Sequence, residues 1–180
     1  MDPLTNSIMD VLKTIQDRDL ELDFTSTGPT KERRAARAVI FDANRNVVLL
    51  HVSKKNFHKL PGGGMEEGEG IVEALRREIR EEVGCEITHI KELGIVEEFR
   101  NKFNVHQLSY CFYADVIGDI GEPAFEQDEI DDGFEPVWLT LDAALDILEK
   151  ERDVEDYEGK FIHVRDLLLL KEARNRARKE

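Results

Sequence analysis

Apolar residues recur along this chain in two rhythms. Between residues 34 and 53 they come in β-rich runs: RAARAVIF (34–41), a turn DANRN (42–46), then VVLLHVS (47–53). Aliphatic runs bounded by Asn and Asp read as two strands joined by a turn. From Ile71 to Val83 the rhythm changes. Ile71, Val72, Leu75, Ile79 and Val83 fall on one stripe of a helical period, so this stretch predicts an amphipathic helix. Gly84 follows in the position that favours a left-handed stop. Residues 87–99 and 106–116 read as strands flanking RNKFN, PVWLT (136–140) as a short strand, and LDAALDILEKE (141–151) as a second amphipathic helix. FEQDEIDDGFE (125–135) reads as an acidic loop, and residues 161–178 as a last helix. Near the start, Leu4, Ile8, Val11, Leu12 and Ile15 are spaced helically, which predicts a helix over residues 4–20. TSTGPT (25–30) then reads as a linker.

Strands, helix, strands, helix make an α/β fold with helices packed on a sheet. The expected division is a helical extension and linker over 1–30, a main domain over 31–155, and a helix over 156–180 that packs on the domain or extends it.

Composition narrows the function. At 180 residues and 41% hydrophobic content, the chain suits one domain with a real core. A net charge of −14 argues against a nucleic-acid polymer as partner, since such binding rests on phosphate neutralisation. The basic tail KEARNRARKE reads as a solvated helix end that suits the helix dipole. A small phosphorylated substrate stays compatible, provided a metal or local basic residues meet its charge. Cys85 and Cys111 are too few for a disulfide framework and predict buried, reduced thiols in a cytoplasmic protein. MDPLTNSIMDVLK has no signal pattern, and the LLLL run at 167–170 is too short to span a membrane. The five histidines have no spacing that builds a zinc site.

The candidate chemistry lies in PGGGMEEGEGIVEALRREIREEVGC (61–85). Residues three and four apart share a helix face, so Glu78, Glu81 and Glu82 stand together at the edge of the apolar stripe. Like charges so placed repel unless a cation offsets them. Carboxylate oxygens are the ligands that Mg²⁺ or Mn²⁺ prefers. Taken alone, a Glu-rich helix is more often a solvated face, here with Arg76, Arg77 and Arg80 as partners. The spacing shifts the balance. Gly63, five residues, Glu69, seven residues, then Arg77-Glu78-Ile79-Arg80-Glu81-Glu82-Val83-Gly84-Cys85 resembles the Nudix box, with every fixed position present. Cys85 stands in the last aliphatic place, where it packs as a small hydrophobe. LPGG (60–63) and WLTLD (138–142) extend the resemblance over residues 34–152.

The resemblance implies an α/β/α sandwich around a mixed β-sheet, with the box forming a loop–helix–loop. It implies hydrolysis of a nucleoside diphosphate linked to another moiety, with Mg²⁺ or Mn²⁺ as cofactor. Carried over by position, Glu78, Glu81, Glu82 and the carbonyl of Gly62 would be metal ligands, and Arg77 and Glu69 would brace the loop and helix around catalytic Glu78 and Glu81. The general base is a box glutamate or one from the acidic loop. Glu129 is the first choice there for a further metal ligand or base, with Glu126, Asp132 and Glu135 as alternatives. Arg37, inside an apolar strand, and Lys54, Lys55 and Lys59 near the box are candidate phosphate binders, with Arg37 weighted most and a surface role the commoner reading for each lysine; of these, Arg37 and Lys59 are the expected substrate contacts. Phe57 reads as a base-stacking residue or a core residue. No secondary signature marks ADP-ribose, dinucleoside polyphosphates or coenzyme A. The expected substrate is therefore a nucleoside triphosphate, including an oxidised one such as 8-oxo-dGTP, by analogy with small bacterial-type members. The alternatives are a non-catalytic binding or regulatory module, or a prenyl diphosphate isomerase, which would need a catalytic cysteine. Monomer and homodimer both remain open.

Overall fold

The apolar run that begins in the second strand organises a seven-stranded mixed sheet. The structure, a computed structural model, describes residues 9–177. The strands are β1 (Val11–Gln16), β2 (Lys31–Phe41), β3 (Asn46–Val52), β4 (Phe57–Lys59), β5 (Glu86–Arg100), β6 (Val105–Ile117) and β7 (Phe134–Thr140). The helices are α1 (Ile71–Val83), α2 (Gln127–Asp132), α3 (Leu141–Lys150) and α4 (Tyr157–Ala177). Strand order is β1-β5-β6-β2-β3-β4, with β7 also paired to β3. β1 runs parallel to β5 and β2 parallel to β6, while the other pairs are antiparallel.

Alternation along each strand sorts residues between the two faces. Ala36, Ala38 and Ile40 of β2 pack under α1 with Leu75, Ile79 and Val83. Val39 and Phe41 pack on the opposite face with Leu145 and Leu148 of α3 and Phe161, Leu169 and Leu170 of α4. This is the expected layered α/β/α arrangement. Gly84 ends α1 at φ 75°, as its position suggested.

The same alternation places a charged cluster under α4. Arg33 and Arg37 of β2, Glu98 and Arg100 of β5, and Gln107 and Ser109 of β6 share the parity of the apolar residues on that face. Cross-strand register sets Arg33 opposite Gln107, and Gln107 opposite Glu98. Arg165 and Asp166 of α4, both fully buried, close over the cluster. Arg165 Nη1 donates to Glu98 (3.2 Å) and its Nε to Asp166 (2.7 Å). Burial pushes the Glu98 carboxyl up, but Arg165 and Arg100 outweigh it and hold the group below the usual carboxylate range.

Several expected boundaries change. The predicted N-terminal helix is not formed in the described part: residues 11–16 are strand β1, followed by a short 3₁₀ turn at Asp17–Leu20. Residues 4–8 of that prediction lie outside the described residues. Pairing with β5 outweighs the helical spacing, because it buries Ile15 completely and supplies backbone partners along the strand. The acidic segment holds α2, and α4 starts four residues before the expected Phe161. Arg178, the expected end of that helix, also lies outside the described residues.

Candidate active site

The glycine loop 61–64 runs beside β2, where Ala38 N–H donates to the Pro61 carbonyl (3.3 Å) and Ala36 N–H to that of Gly63 (3.0 Å). Two of its glycines are fixed by close approach. Gly62 has φ +124°, and a Cβ there would lie 2.1 Å from the Ala36 carbonyl oxygen. A Cβ on Gly63 would lie 2.3 Å from the Glu78 carboxylate. The loop is also anchored from behind: Leu60 N–H donates to Asp166 of α4 (2.7 Å).

Helix α1 turns its acidic edge toward this loop. Glu82, 1% exposed, accepts hydrogen bonds from Gly62 N–H and from Lys59 Nζ (2.9 Å). Glu78 is buried, and desolvation, followed by the charge of Glu82, raises its carboxyl above the ordinary value. Arg77 is the hub. Its guanidinium forks onto both Glu69 oxygens (2.9 and 3.1 Å), donates to Glu78 (2.9 Å) and Glu81 (3.1 Å), and holds the Gly64 carbonyl (2.9 Å). Glu69 is held below its usual range chiefly by its bond to Arg77.

The glycine loop and the acidic edge of α1 face one cleft of about 300 Å³. Its acidic wall is Glu78, Glu81 and Glu82 from α1 with Glu126, Asp128 and Glu129 from the α2 segment. Its other side carries Arg33, Arg37, Lys59 and Arg100, with Glu158 paired to Arg100 among them. Glu129 Oε2 accepts from Glu126 N–H (2.8 Å), and burial, with the charges of Glu82 and Glu78 adding, pushes its carboxyl up to about 7.

Most of the candidates read from the sequence therefore converge. Glu78, Glu81, Glu82, Glu129, Gly62, Arg37 and Lys59 line the cleft, and Arg77 and Glu69 stand directly behind it. Phe57 does not. It is 3% exposed and packs with Val52 and Val154, because β4 turns it into the interior; the base-stacking reading is corrected to a core role. Of the alternative loop acids, Asp132 pairs with Lys55 (2.7 Å) and Glu135 lies on β7 opposite His51; neither lines the cleft. Cys85 and Cys111 are buried, do not line the cleft, and have thiols pushed up by burial to about 11 and about 12, which removes the basis for a cysteine isomerase. Sequence reading missed Arg33, Arg100 and Asp128. The signal for the first was present: Arg33 and Arg37 are four apart on one strand and so share a face.

Among the described residues, no three acidic, His or Cys groups already stand as a cation cage. The donor chemistry nevertheless suits a hard cation: the oxygens come from carboxylates and a glycine-loop backbone, and Glu78 and Glu82 repel each other across a buried space.

A mixed sheet between helix layers, with a glycine loop leading into an acidic helix beside a basic strand, defines a phosphate-handling α/β domain. Residues 31–163 match the NUDIX domain, and the chain belongs to the Nudix hydrolase family. Curated relatives are similar over short stretches. An 8-oxo-dGDP phosphatase of Danio rerio is 41% identical over 64 residues, covering 34% of this chain and 20% of that protein. A nucleoside triphosphatase of an Enterobacter species is 56% identical over 45 residues, covering 24% of this chain and 32% of the relative. The aligned stretches thus span a third or less of these relatives' lengths. Among solved structures, a Nudix hydrolase from Nitrosomonas europaea superposes with a TM-score of 0.56 at 20% identity, over 76% of this chain and 91% of the other. A MutT protein from Bacillus halodurans gives 0.51 at 24% identity, over 64% and 72%. These likenesses establish the fold. No helix among the described residues is long and apolar enough to cross a membrane.

Proposed function

We propose that this chain is a divalent-metal-dependent pyrophosphohydrolase acting on a small nucleotide, with a nucleoside triphosphate, including an oxidised one such as 8-oxo-dGTP, as the preferred substrate. The observation that carries the reading is the convergence of Glu78, Glu81, Glu82 and Glu129 with the Gly62 loop on one cleft that is basic on its other side. The Danio and Enterobacter relatives, by what they act on, support the substrate class.

Glu78, Glu81, Glu82 and the Gly62 carbonyl would hold Mg²⁺ or Mn²⁺, with Glu129 as a further ligand or as base. Such an ion, when bound, neutralises phosphate charge and lowers the pKa of water. The protein supplies the rest. Arg77 fixes the carboxylates at one geometry, so little reorganisation is left for the moment of reaction. Glu129 spends Oε2 on a backbone N–H, which leaves Oε1 as the atom to take a proton from water. Lys59, paired with Glu82, and Arg37 present positive charge to the phosphates.

The deciding experiment is product analysis on a nucleotide panel with Mg²⁺, run beside Glu81→Gln. The panel holds ordinary and 8-oxo triphosphates, ADP-ribose, NADH, a dinucleoside polyphosphate and a nucleotide sugar. The Glu81 side chain is 33% exposed, so Gln is tolerated by the fold. The variant should lose turnover by about 10²-fold or more. Full activity in Glu81→Gln at limiting Mg²⁺ would sink the assignment. Silence across the panel, from a folded chain that binds Mg²⁺, would shift the reading to a binding module.

A further inference from the structure

The basic side of the cleft carries a charge that the protein itself leaves uncompensated at hydrogen-bonding distance. Arg37 is 6% exposed, yet its Nε and Nη1 are buried without a hydrogen-bond partner. The other guanidiniums nearby are engaged: Arg100 donates to Glu98 (2.9 Å) and to Glu158, and Arg33 donates to Gln107. Gln107 is neutral, so the hydrogen bond itself leaves the Arg33 charge unpaired, although Glu158 stands on the same side of the cleft. A buried guanidinium with two unpartnered nitrogens is costly, and a bound anion would offset that cost. Arg33 and Arg37 lie on one face of β2 and, with Arg100, line the cleft across from the acidic helix. The acidic wall can take a phosphate only through a cation, whereas the arginine side can take one directly. The two walls therefore divide a phosphate chain between them.

We infer that Arg37, flanked by Arg33 and Arg100, is a subsite for the terminal phosphate of the substrate, selecting nucleotides that end in a free phosphate over those capped by a sugar. A terminal phosphate carries a charge of about −1.5 to −2 and three acceptor oxygens, enough to meet the charges that Arg37 and Arg33 bring to the cleft. A capped diphosphate brings one charge per phosphate and added bulk. The inference rests on the nucleotide reading of the cleft and assigns its orientation: the phosphate chain ends on β2.

The test is isothermal titration of the full chain in Mg²⁺ buffer with inorganic pyrophosphate and, separately, with UDP-glucose, for wild type, Arg37→Met and Arg33→Gln, beside unliganded melting temperatures. Arg37→Met should weaken pyrophosphate binding by about tenfold or more, the usual worth of hydrogen bonds to a charged group. UDP-glucose binding should change much less. The unliganded Tm of Arg37→Met should match or exceed that of wild type, because an unpartnered buried charge has been removed. Wild-type pyrophosphate affinity in Arg37→Met overturns the subsite. A lowered Tm with equal losses for both ligands also overturns it and makes Arg37 structural. If Arg37→Met does not fold, the exposed Arg33 decides: Arg33→Gln should weaken pyrophosphate severalfold and UDP-glucose much less, and no change overturns the inference. Loss of pyrophosphate binding in Arg37→Met, in a chain that cleaves no nucleotide, would leave the subsite standing and remove the enzyme reading alone.

Discussion

Glu78 is held from several sides at once: Arg77 donates to it, Gly63 leaves room for it, and Glu82 repels it. Each constraint comes from a residue within the box, so the group was legible from spacing. Glu98 was not legible. It is fully buried and paired with Arg100 and Arg165, the latter 67 positions away, and nothing local marks that partner. His163 gives a residue-scale prediction. Burial lowers its pKa below the ordinary 6.5, outweighing Glu151 and Asp166, and its Nδ1 is buried without a partner. The unfolded chain therefore takes up this proton first as pH falls, and stability drops from about pH 6.5 downward until the folded form protonates as well. His163→Gln should lose less stability than wild type as the pH is lowered through 6.5, measured by denaturant titration at each pH. An identical loss would exclude the residue from acid sensitivity.

At the scale of elements, α1 was readable because its apolar stripe, its acidic edge and its Gly84 stop agree on one helix. α2 was not, since six mostly acidic residues show no apolar period. Its helix is set by Glu129 accepting Glu126 N–H and by Gly133 closing it at φ 70°. Glu126 lines the cleft too, but the cap pins Glu129 there within reach of the charges of Glu82 and Glu78, so the larger effect is expected at Glu129. In a Mg²⁺ titration of activity, Glu129→Gln should shift the half-saturating Mg²⁺ concentration upward by about tenfold, and Glu126→Gln by much less, as for loss of one charged ligand. Equal shifts would assign the role to a different loop acid. Glutamine can still accept the capping bond, so helix loss does not confuse the comparison.

Across the whole molecule, α4 ties the turn that follows β1 to the glycine loop of the site. Tyr157 of α4 donates to Asp17 (2.8 Å), Asp17 accepts from Asn101 N–H (2.9 Å), and Asp166 holds the start of the glycine loop. β1 closes the sheet beside β5, so a chain beginning at Asp23 would bare the β5 edge and lose the buried Ile15. It should be destabilised by at least about 2 kcal/mol and self-associate, seen as a lower Tm and a larger species by light scattering. An unchanged Tm and particle size would mean that β1 is dispensable. The sequence by itself determined the α/β class, the acidic helix, its glycine entry and most of the cleft's carboxylates, because those depend on spacing within one element. Only the tertiary structure decided that residues 11–16 join the sheet, that Phe57 turns inward, and that Arg33, Arg37 and Arg100 meet across two strands. Those outcomes depend on strand register and on what α4 covers, and contacts between distant segments leave no period in the chain.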